Sequence, residues 1–381
     1  MHRSIGIVLL AFVWACASTV LASAQVASSP TEASQTQAPS TPVAYIYVAS
    51  YTSSGKYQIE AYAAASNGSL TAVAGSPFAT TVNDIALNGR WLFGTDGNNI
   101  DSFSIASNGA IKQVDTLSVE TTGGLGNLFL DHTGTSLYVD YYTTNNDYLS
   151  YSIDNTNGKI TPLNDLSGGP SVGDVLSFIG NNKFGYSASC YHFTPAIYGA
   201  QRNSDGSLAW LSINPPMPVA PTGETYCPFL AAADPTNHLA VGAQLYNNWA
   251  VAGPYQLAVY TADSSGNLTT SSTYKNMPSV AVGNLYDLWM SPDGKHLAVS
   301  GSTGLQVFKF NGANPITKFT GLLTSKDVEV AFWDNANHLY AISRTGGKLY
   351  VFTVTSTGVT QAPGSPHSIV TPVSLIVLPK T

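Results

Sequence analysis

Three side chains in turn-rich segments could together direct water onto a carbonyl group. They are His192 in "CYHFTP", Glu224 in "PTGETYC" and Arg344 in "AISRTGG". A histidine or a glutamate can accept a proton from water, and an arginine can stabilise the charge that develops on a carbonyl oxygen. This hypothesis requires the three side chains to converge on one pocket. The alternatives are that His192 has no catalytic role and that Arg344 forms a salt bridge with a neighbouring loop.

A second set of polar residues recurs at intervals along the chain and could surround one opening. Such a ring could bind a cation through its oxygen atoms. It could equally accept hydrogen bonds from backbone amides and water, and we predict neither a metal nor a cofactor. The residues of this ring are Asp84, Asn127, Asp174, Asp287 and Glu329.

A third set is mostly aromatic. Flat apolar rings with polar edges suit sugars and also suit protein partners. The alternative is that many of these rings fill gaps between structural units. The predicted ligand contacts are Tyr51, Asp140, Tyr142, Tyr191, Tyr226, Gln244 and Trp249.

A recurring phrase separates the segments that carry these residues. It reads "IEAYAAASNGSLTAV" from Ile59 and "IDSFSIASNGAIKQV" from Ile100, with further copies from residues 149, 197, 257, 305 and 349. Alternating apolar residues around a glycine turn predict a β-hairpin. The copies recur every 41 to 60 residues, a spacing typical of propeller blades. The run Asp154–Gly158 is one residue short of the EF-hand ligand spacing, so we interpret it as a turn.

A second hairpin precedes each copy, so the repeating unit has four strands. One such sheet cannot bury both of its faces, whereas seven arranged radially bury them against one another. The ordered chain begins with "VAYIYVASY", a second strand without a first, and ends with "PVSLIVLPK", a first strand without a second. We therefore predict an all-β fold over residues 43–381. It is a seven-bladed β-propeller of four-stranded antiparallel blades, closed by the C-terminal strand completing blade one.

The strand order assigns each loop to one of two faces. Short turns such as "SPDG" lie on one, the plain face. Loops between second and third strands, and between blades, lie on the other, the variable face. These loops are predicted to be long and irregular, for example "DYYTTNNDY", "CYHFTP", "INPPMPVAPTGETYC" and "QLYNNWAVAGPY". Irregular loops on a rigid scaffold are where function usually lies.

Cys190 and Cys227 both fall on the variable face, in adjacent blades. An oxidising compartment permits them to pair, which would hold His192 near Glu224. The alternative is two buried free thiols.

The first residues predict export. His2 and Arg3 precede an apolar run, and "ASA" at residues 22–24 offers a cleavage site, so residues 1–24 are predicted to be a signal peptide. Residues 25–42 are rich in Ser, Thr, Ala and Pro and are predicted to be a disordered tether. We expect a periplasmic or secreted protein, with lipid anchoring through Cys16 as the alternative.

Composition limits the partners. The net charge is −7 and only 10% of residues are charged, so no basic stripe is available for nucleic acid. No stretch of the mature chain approaches the roughly 20 apolar residues of a membrane span. We expect a monomer.

The phrases "YIYVASYTSSGKYQIEAY", "YSIDNTNGKITPL" and "SPDGKHLAVSGSTGLQVF" resemble the bacterial lactonase family of seven-bladed propellers, which includes phosphogluconolactonase. The resemblance covers roughly residues 43–381. It implies a histidine, a glutamate and an arginine on the variable face, and the chain departs from that pattern. Phe229 stands where the histidine is expected and Gln244 lies near the place of the glutamate. Arg344 lies in the last blade rather than the one before it.

We therefore expect an exported, lactonase-like propeller that binds a small polyhydroxylated ligand or a cell-surface partner on its variable face. If it is an enzyme, the expected reaction is hydrolysis of a sugar-type lactone, with His192 or Glu224 as the base and Arg344 at the carbonyl. The alternative is a noncatalytic platform that binds protein or carbohydrate.

Overall fold

The computed structural model describes residues 41–119, 124–141, 147–167 and 175–380. The predicted signal peptide, nearly all of the predicted tether, and the candidate residues Tyr142 and Asp174 lie outside these ranges. Every regular element within them is a β-strand. They contain no helix that is long and apolar enough to cross a membrane.

The strands follow one another in chain order. The first are β1 (Ala44–Tyr51), β2 (Tyr57–Ala64), β3 (Leu70–Ala72), β4 (Phe78–Ala79), β5 (Asp84–Leu87), β6 (Trp91–Thr95), β7 (Asn99–Ile105) and β8 (Ile111–Ser118). Next are β9 (Leu125–Leu130), β10 (Ser136–Tyr141), β11 (Asp147–Ile153), β12 (Ile160–Leu166), β13 (Ser177–Phe178), β14 (Phe184–Tyr191), β15 (Thr194–Arg202) and β16 (Leu208–Trp210). Then come β17 (Thr225–Ala233), β18 (His238–Asn247), β19 (Ala250–Ala262), β20 (Leu268–Thr269), β21 (Leu285–Met290), β22 (His296–Gly301), β23 (Gly304–Asn311) and β24 (Asn314–Lys318). The last are β25 (Val330–Trp333), β26 (His338–Ser343), β27 (Lys348–Val354), β28 (Val359–Gln361), β29 (His367–Ser368) and β30 (Pro372–Pro379).

These strands form seven antiparallel sheets, one per blade. Blades two to seven each contain four consecutive strands, from β5–β8 to β25–β28, and β29 adds to blade seven. Blade one has the order β30-β1-β2-β3, with β4 also paired to β2. The C-terminal strand therefore closes the ring, with Ala44 opposite Pro379 and Val48 opposite Leu375. The predicted seven-bladed propeller and its closure are confirmed.

The repeated hairpins turn at glycine because their backbone enters the left-handed region. Gly109 has φ 85° and Gly158 has φ 79°, values that a residue with a Cβ adopts only with strain. In the "DNTNG" turn, Asp154 Oδ1 accepts the backbone N–H of Thr156 at 2.8 Å. The Asp154 carboxylate therefore closes its own turn, as the turn interpretation predicted.

Buried tyrosines of blades one, three and four each form a hydrogen bond with the hairpin of the next blade. The hydroxyl of Tyr47 donates to the Gly109 carbonyl at 2.9 Å. Two equivalent bonds, from Tyr138 to Gly206 and from Tyr186 to Gly266, are both 2.8 Å long. Because these tyrosines sit at the same place in the second strand of their blades, the repeat specifies the contact between blades as well as the blade itself.

The rest of the contact between neighbouring blades is made by buried apolar side chains. Tyr45 and Ile59 of blade one belong to the same buried apolar cluster as Ile85 and Phe103 of blade two. Burying side chains of this size contributes about 1.5–3 kcal/mol each. The core is therefore distributed around the ring between neighbouring blades.

The close contact between blades predicts a difference between two glycine substitutions. Gly109 and Gly223 both have φ +85°, but a Cβ on Gly109 would lie 2.5 Å from the Tyr45 ring, whereas one on Gly223 would meet nothing within 4 Å. We expect Gly223→Ala to destabilise by about 1–2 kcal/mol through backbone strain, and Gly109→Ala by about 1–3 kcal/mol more through overpacking. Urea unfolding of the two variants measures the difference. Equal losses would show that the hairpin glycine is not pressed against blade one.

Candidate functional site

The innermost strands of the blades surround a cavity of about 510 Å³. Each of these strands starts at the variable face, because the loops between blades lie there. The first residues of the strands therefore form the variable-face end of the cavity, here named the channel mouth. Its polar side chains are Asp84, Asn127, Asp287, Glu329 and Ser374.

Asp84 links three blades. Its Oδ1 accepts the Ser374 hydroxyl of blade one at 2.6 Å, and its Oδ2 accepts the backbone N–H of Leu128 in blade three at 2.7 Å. Burial raises the pKa of Asp84, although these hydrogen bonds act in the opposite direction. The side chain is therefore a structural link between inner strands.

Other mouth residues also bond within the protein. Asn127 Nδ2 donates to Asp140 at 3.2 Å. Asp287 accepts the backbone N–H of Leu288 at 2.8 Å and the indole N–H of Trp289. Among the described residues, no three His, Cys, Asp or Glu side chains converge as metal ligands would.

Glu329 and Asp327 form a carboxyl pair at the mouth. Glu329 Oε2 accepts the backbone N–H of Arg344 at 2.7 Å. Burial, followed by the hydrogen bond to Asp327, raises the pKa of Glu329 from its ordinary 4.5 to about 7. For Asp327, burial acts to raise the pKa, but hydrogen bonds led by that from Glu329 outweigh it and hold the pKa below its ordinary value. The pair therefore holds one proton, on Glu329, and releases it to solvent as the pH rises through about 7.

Tyr51 extends this arrangement into blade one. Its hydroxyl is hydrogen-bonded to that of Tyr57. This bond and burial raise the pKa of Tyr51, whereas the Arg344 guanidinium acts to lower it. Arg344 thus offers its backbone N–H to Glu329 and its guanidinium to the neighbourhood of Tyr51. We name Tyr51, Tyr57, Asp327, Glu329 and Arg344 the mouth cluster.

Blades four and five present different chemistry on the same face. A disulfide joins Cys190 to Cys227, with the Cα atoms 5.3 Å apart, within the usual range for such bonds. The disulfide joins the end of β14 to the start of β17. Glu224 is the residue immediately before β17. His192 is two residues beyond Cys190.

Two of the predicted irregular loops are tight hairpins, which corrects that expectation. Tyr191 pairs with Thr194, and the two turn residues between them, His192 and Phe193, have φ 46° and 59°. Asn248 and Trp249 turn in the same way, with φ 45° and 70°, between β18 and β19. None of these four residues is a glycine, yet their backbone lies in the left-handed region, which residues with a Cβ ordinarily avoid because it is strained.

The two hairpin tips meet through their aromatic rings. Phe193 lies edge-on to Trp249 with the centroids 5.1 Å apart. Trp249 is 70% exposed, Val251 59% and Tyr191 57%. We name Tyr191, Phe193, Trp249 and Val251 the hairpin patch.

The chain matches no protein-family model and no curated protein. Its fold does match solved structures. A Bacteroides fragilis protein provisionally named a 6-phosphogluconolactonase superposes with a TM-score of 0.66 at 15% identity, covering 88% of this chain and 97% of its own. The periplasmic gluconolactonase PpgL of Pseudomonas aeruginosa gives a TM-score of 0.62 at 14% identity, covering 88% and 98%. The chain has the lactonase-type propeller fold. At these identities, the likeness establishes the fold alone.

The three catalytic candidates lie on three blades of the propeller. His192 is exposed at a hairpin tip of blade four, against the Tyr191 ring. Glu224 is half-buried before the first strand of blade five. Arg344 lies between β26 and β27 of blade seven, and the carboxyl group beside it is that of Glu329.

The structure corrects two predicted ligand contacts. Tyr226 is fully buried, with its hydroxyl donating to Gln256 at 2.6 Å. Asp140 is buried and bonded to Asn127. Gln244 is half-buried and accepts the Tyr246 hydroxyl at 3.1 Å. Trp249 is exposed, so it stays a candidate for contact with a ligand.

Four residues of the mouth cluster and the hairpin patch were not predicted as site residues from the sequence: Asp327, Tyr57, Phe193 and Val251. One signal was present. In "KDVEV", Asp327 and Glu329 alternate with valines just before an innermost strand, so both side chains point to the same side.

The shifted carboxyl pair predicts substitutions of opposite sign. Ionised Glu329 is disfavoured in the folded state, so the folded form loses stability as pH rises from about 4.5 to about 7. We expect Glu329→Gln to stabilise by about 1–2 kcal/mol at pH 8.5, after allowance for solvent screening, and by little at pH 4.5. Asp327→Asn should instead destabilise at pH 4.5, where Glu329 still carries the proton that it donates to the Asp327 carboxylate and so holds the folded pKa of Asp327 down. Urea unfolding at both pH values measures this. An equal gain for Glu329→Gln at the two pH values would contradict the assignment.

Proposed function

We propose that the protein is an exported lactonase-type propeller that binds a lactone at its channel mouth and hydrolyses it. The observation that carries the proposal is the Asp327–Glu329 carboxyl pair, whose proton is exchanged near pH 7 beside Arg344. A general base works best when its pKa lies near the operating pH.

The chemistry needs one base and one charge stabiliser. Ionised Glu329 takes a proton from water, and the water oxygen bonds to the lactone carbonyl carbon. The Arg344 guanidinium stabilises the oxyanion that forms. The ring carbon–oxygen bond then breaks, and the leaving alkoxide takes the proton from Glu329. The product is the hydroxy acid, and Glu329 returns to its ionised state.

Other features support a location outside the cytoplasm and a class of substrate for this activity. The apolar leader predicts export, and the Cys190–Cys227 disulfide suits an oxidising compartment. One structural neighbour is a periplasmic gluconolactonase, and others are provisionally named 6-phosphogluconolactonases. These names support a sugar-type lactone as the first substrate class to test.

A second candidate function is a noncatalytic platform for a surface partner or carbohydrate. The hairpin patch favours it, because an exposed tryptophan beside other exposed rings is typical of binding surfaces. Here His192 and Glu224 would flank the contact.

Substitution of the mouth cluster tests the enzymatic proposal. We expect Glu329→Gln to lower kcat/KM on glucono-δ-lactone by about 10²–10⁴-fold, and Arg344→Ala by about 10²–10³-fold. In the wild type, kcat/KM should rise with pH to a plateau above about 7 as Glu329 ionises. Asp327→Asn should move that rise to lower pH, because it removes the carboxylate that raises the pKa of Glu329. Initial rates from pH 5 to 8.5, corrected for spontaneous hydrolysis, measure these effects.

Lys318→Ala provides the control, because Lys318 is an exposed cation on the outer strand of blade six. Loss of activity in His192→Ala or Glu224→Gln with none in Glu329→Gln would move the base to blades four and five. Background hydrolysis by the wild type would favour the platform.

A further inference from the structure

The cavity changes in polarity along its depth. Depth follows chain order, because every innermost strand runs from the variable face to the plain face. The carboxyl groups that line the cavity, Asp84, Asp287 and Glu329, belong to its mouth end. Three residues further along, the same strands contribute Leu87, Met290 and Phe332.

The deeper part of the cavity is lined mainly by apolar side chains. Leu87, Met290 and Phe332 are half-buried at the cavity wall, and the Phe332 ring lies 3.7 Å from that of Trp289, centroid to centroid. The polar side chains of this part are the hydroxyls of Ser177 and Ser187 and the ring of His132 near the plain face. Burial lowers the pKa of His132, which favours its neutral form. No charged group of the described lining lies beyond the mouth.

We infer that the ligand of this site is an amphiphilic lactone, whose polar ring binds at the channel mouth and whose aliphatic tail enters the channel. The inference rests on the proposed lactone site and adds the class of lactone. A cavity of about 510 Å³ lies within the roughly 300–1,000 Å³ of small-molecule sites. Water or a polyol in the deeper part would leave hydrogen bonds unmade against leucine, methionine and phenylalanine side chains.

A series of γ-lactones with methyl to hexyl side chains tests this. Calorimetric titration of the wild-type protein and of Glu329→Gln gives each dissociation constant without turnover being required. Because each buried methylene contributes about 0.8 kcal/mol, affinity should rise about 3–4-fold per added carbon until the channel is filled. Met290→Gln keeps the side-chain length but should flatten the gain over the last carbons.

Met217→Gln is the matched control, because Met217 is a half-buried methionine that packs in the long loop before blade five, away from the cavity. The length dependence should survive in it. Affinity that is independent of tail length overturns the inference, even if glucono-δ-lactone is hydrolysed and the proposed function stands. Length-dependent binding without hydrolysis supports the inference and rejects the enzymatic function. An equal loss in both methionine variants also overturns it.

Discussion

The architecture depends on the buried hydrogen bond from a second-strand tyrosine to the glycine carbonyl of the next blade's hairpin. Three such bonds occur among the residues that the structure describes, at 2.8 to 2.9 Å. Each one needs a glycine turn that brings the carbonyl close and a tyrosine that reaches across the blade boundary. Because the hydroxyl is buried, leaving it unpaired would cost about 1–3 kcal/mol. The repeat therefore sets the angle between blades, and pairing of β30 with β1 closes the ring at that angle.

A ring fixed in this way determines what its centre can hold. The innermost strands cannot move apart to solvate a side chain at their starts, so polar groups there must find partners in neighbouring strands. Asp84 does so, taking donors from the blades on either side. Glu329 does so only in part, since its main partner is another carboxyl group, and it keeps its proton to about pH 7. The same rigidity that makes Asp84 structural makes Glu329 a titrating group near neutral pH.

The sequence carried the fold because turns and strands repeat, and each copy supports the others. The hairpin phrase and the closing strand set the strand order. That order placed Cys190 near Cys227, which left a disulfide and two free thiols as alternatives. Contacts that depend on non-repeating residues could not be predicted from the sequence. The turns at His192 and Trp249 require positive φ without a glycine or an Asn-Gly pair to signal it. The Glu329 site depends on how the β26–β27 loop returns to the start of β25, a register that alternation in "KDVEV" hints at but does not specify.

Two places on the variable face depart from the repeating pattern of the blades, and such exceptions concentrate at functional sites. In blade seven, a half-buried carboxylic acid destabilises the fold when it ionises. In blades four and five, two strained non-glycine turns hold Phe193 and Trp249 in solvent, braced by the disulfide. Neither arrangement takes part in the pairing of β30 with β1 that closes the ring. The two differ in kind, because a titrating acid beside an arginine suits reaction with a small molecule, whereas rigid exposed rings suit contact with a surface. Because the two arrangements lie on different blades, a substitution in one leaves the residues of the other unchanged, so their roles are separable.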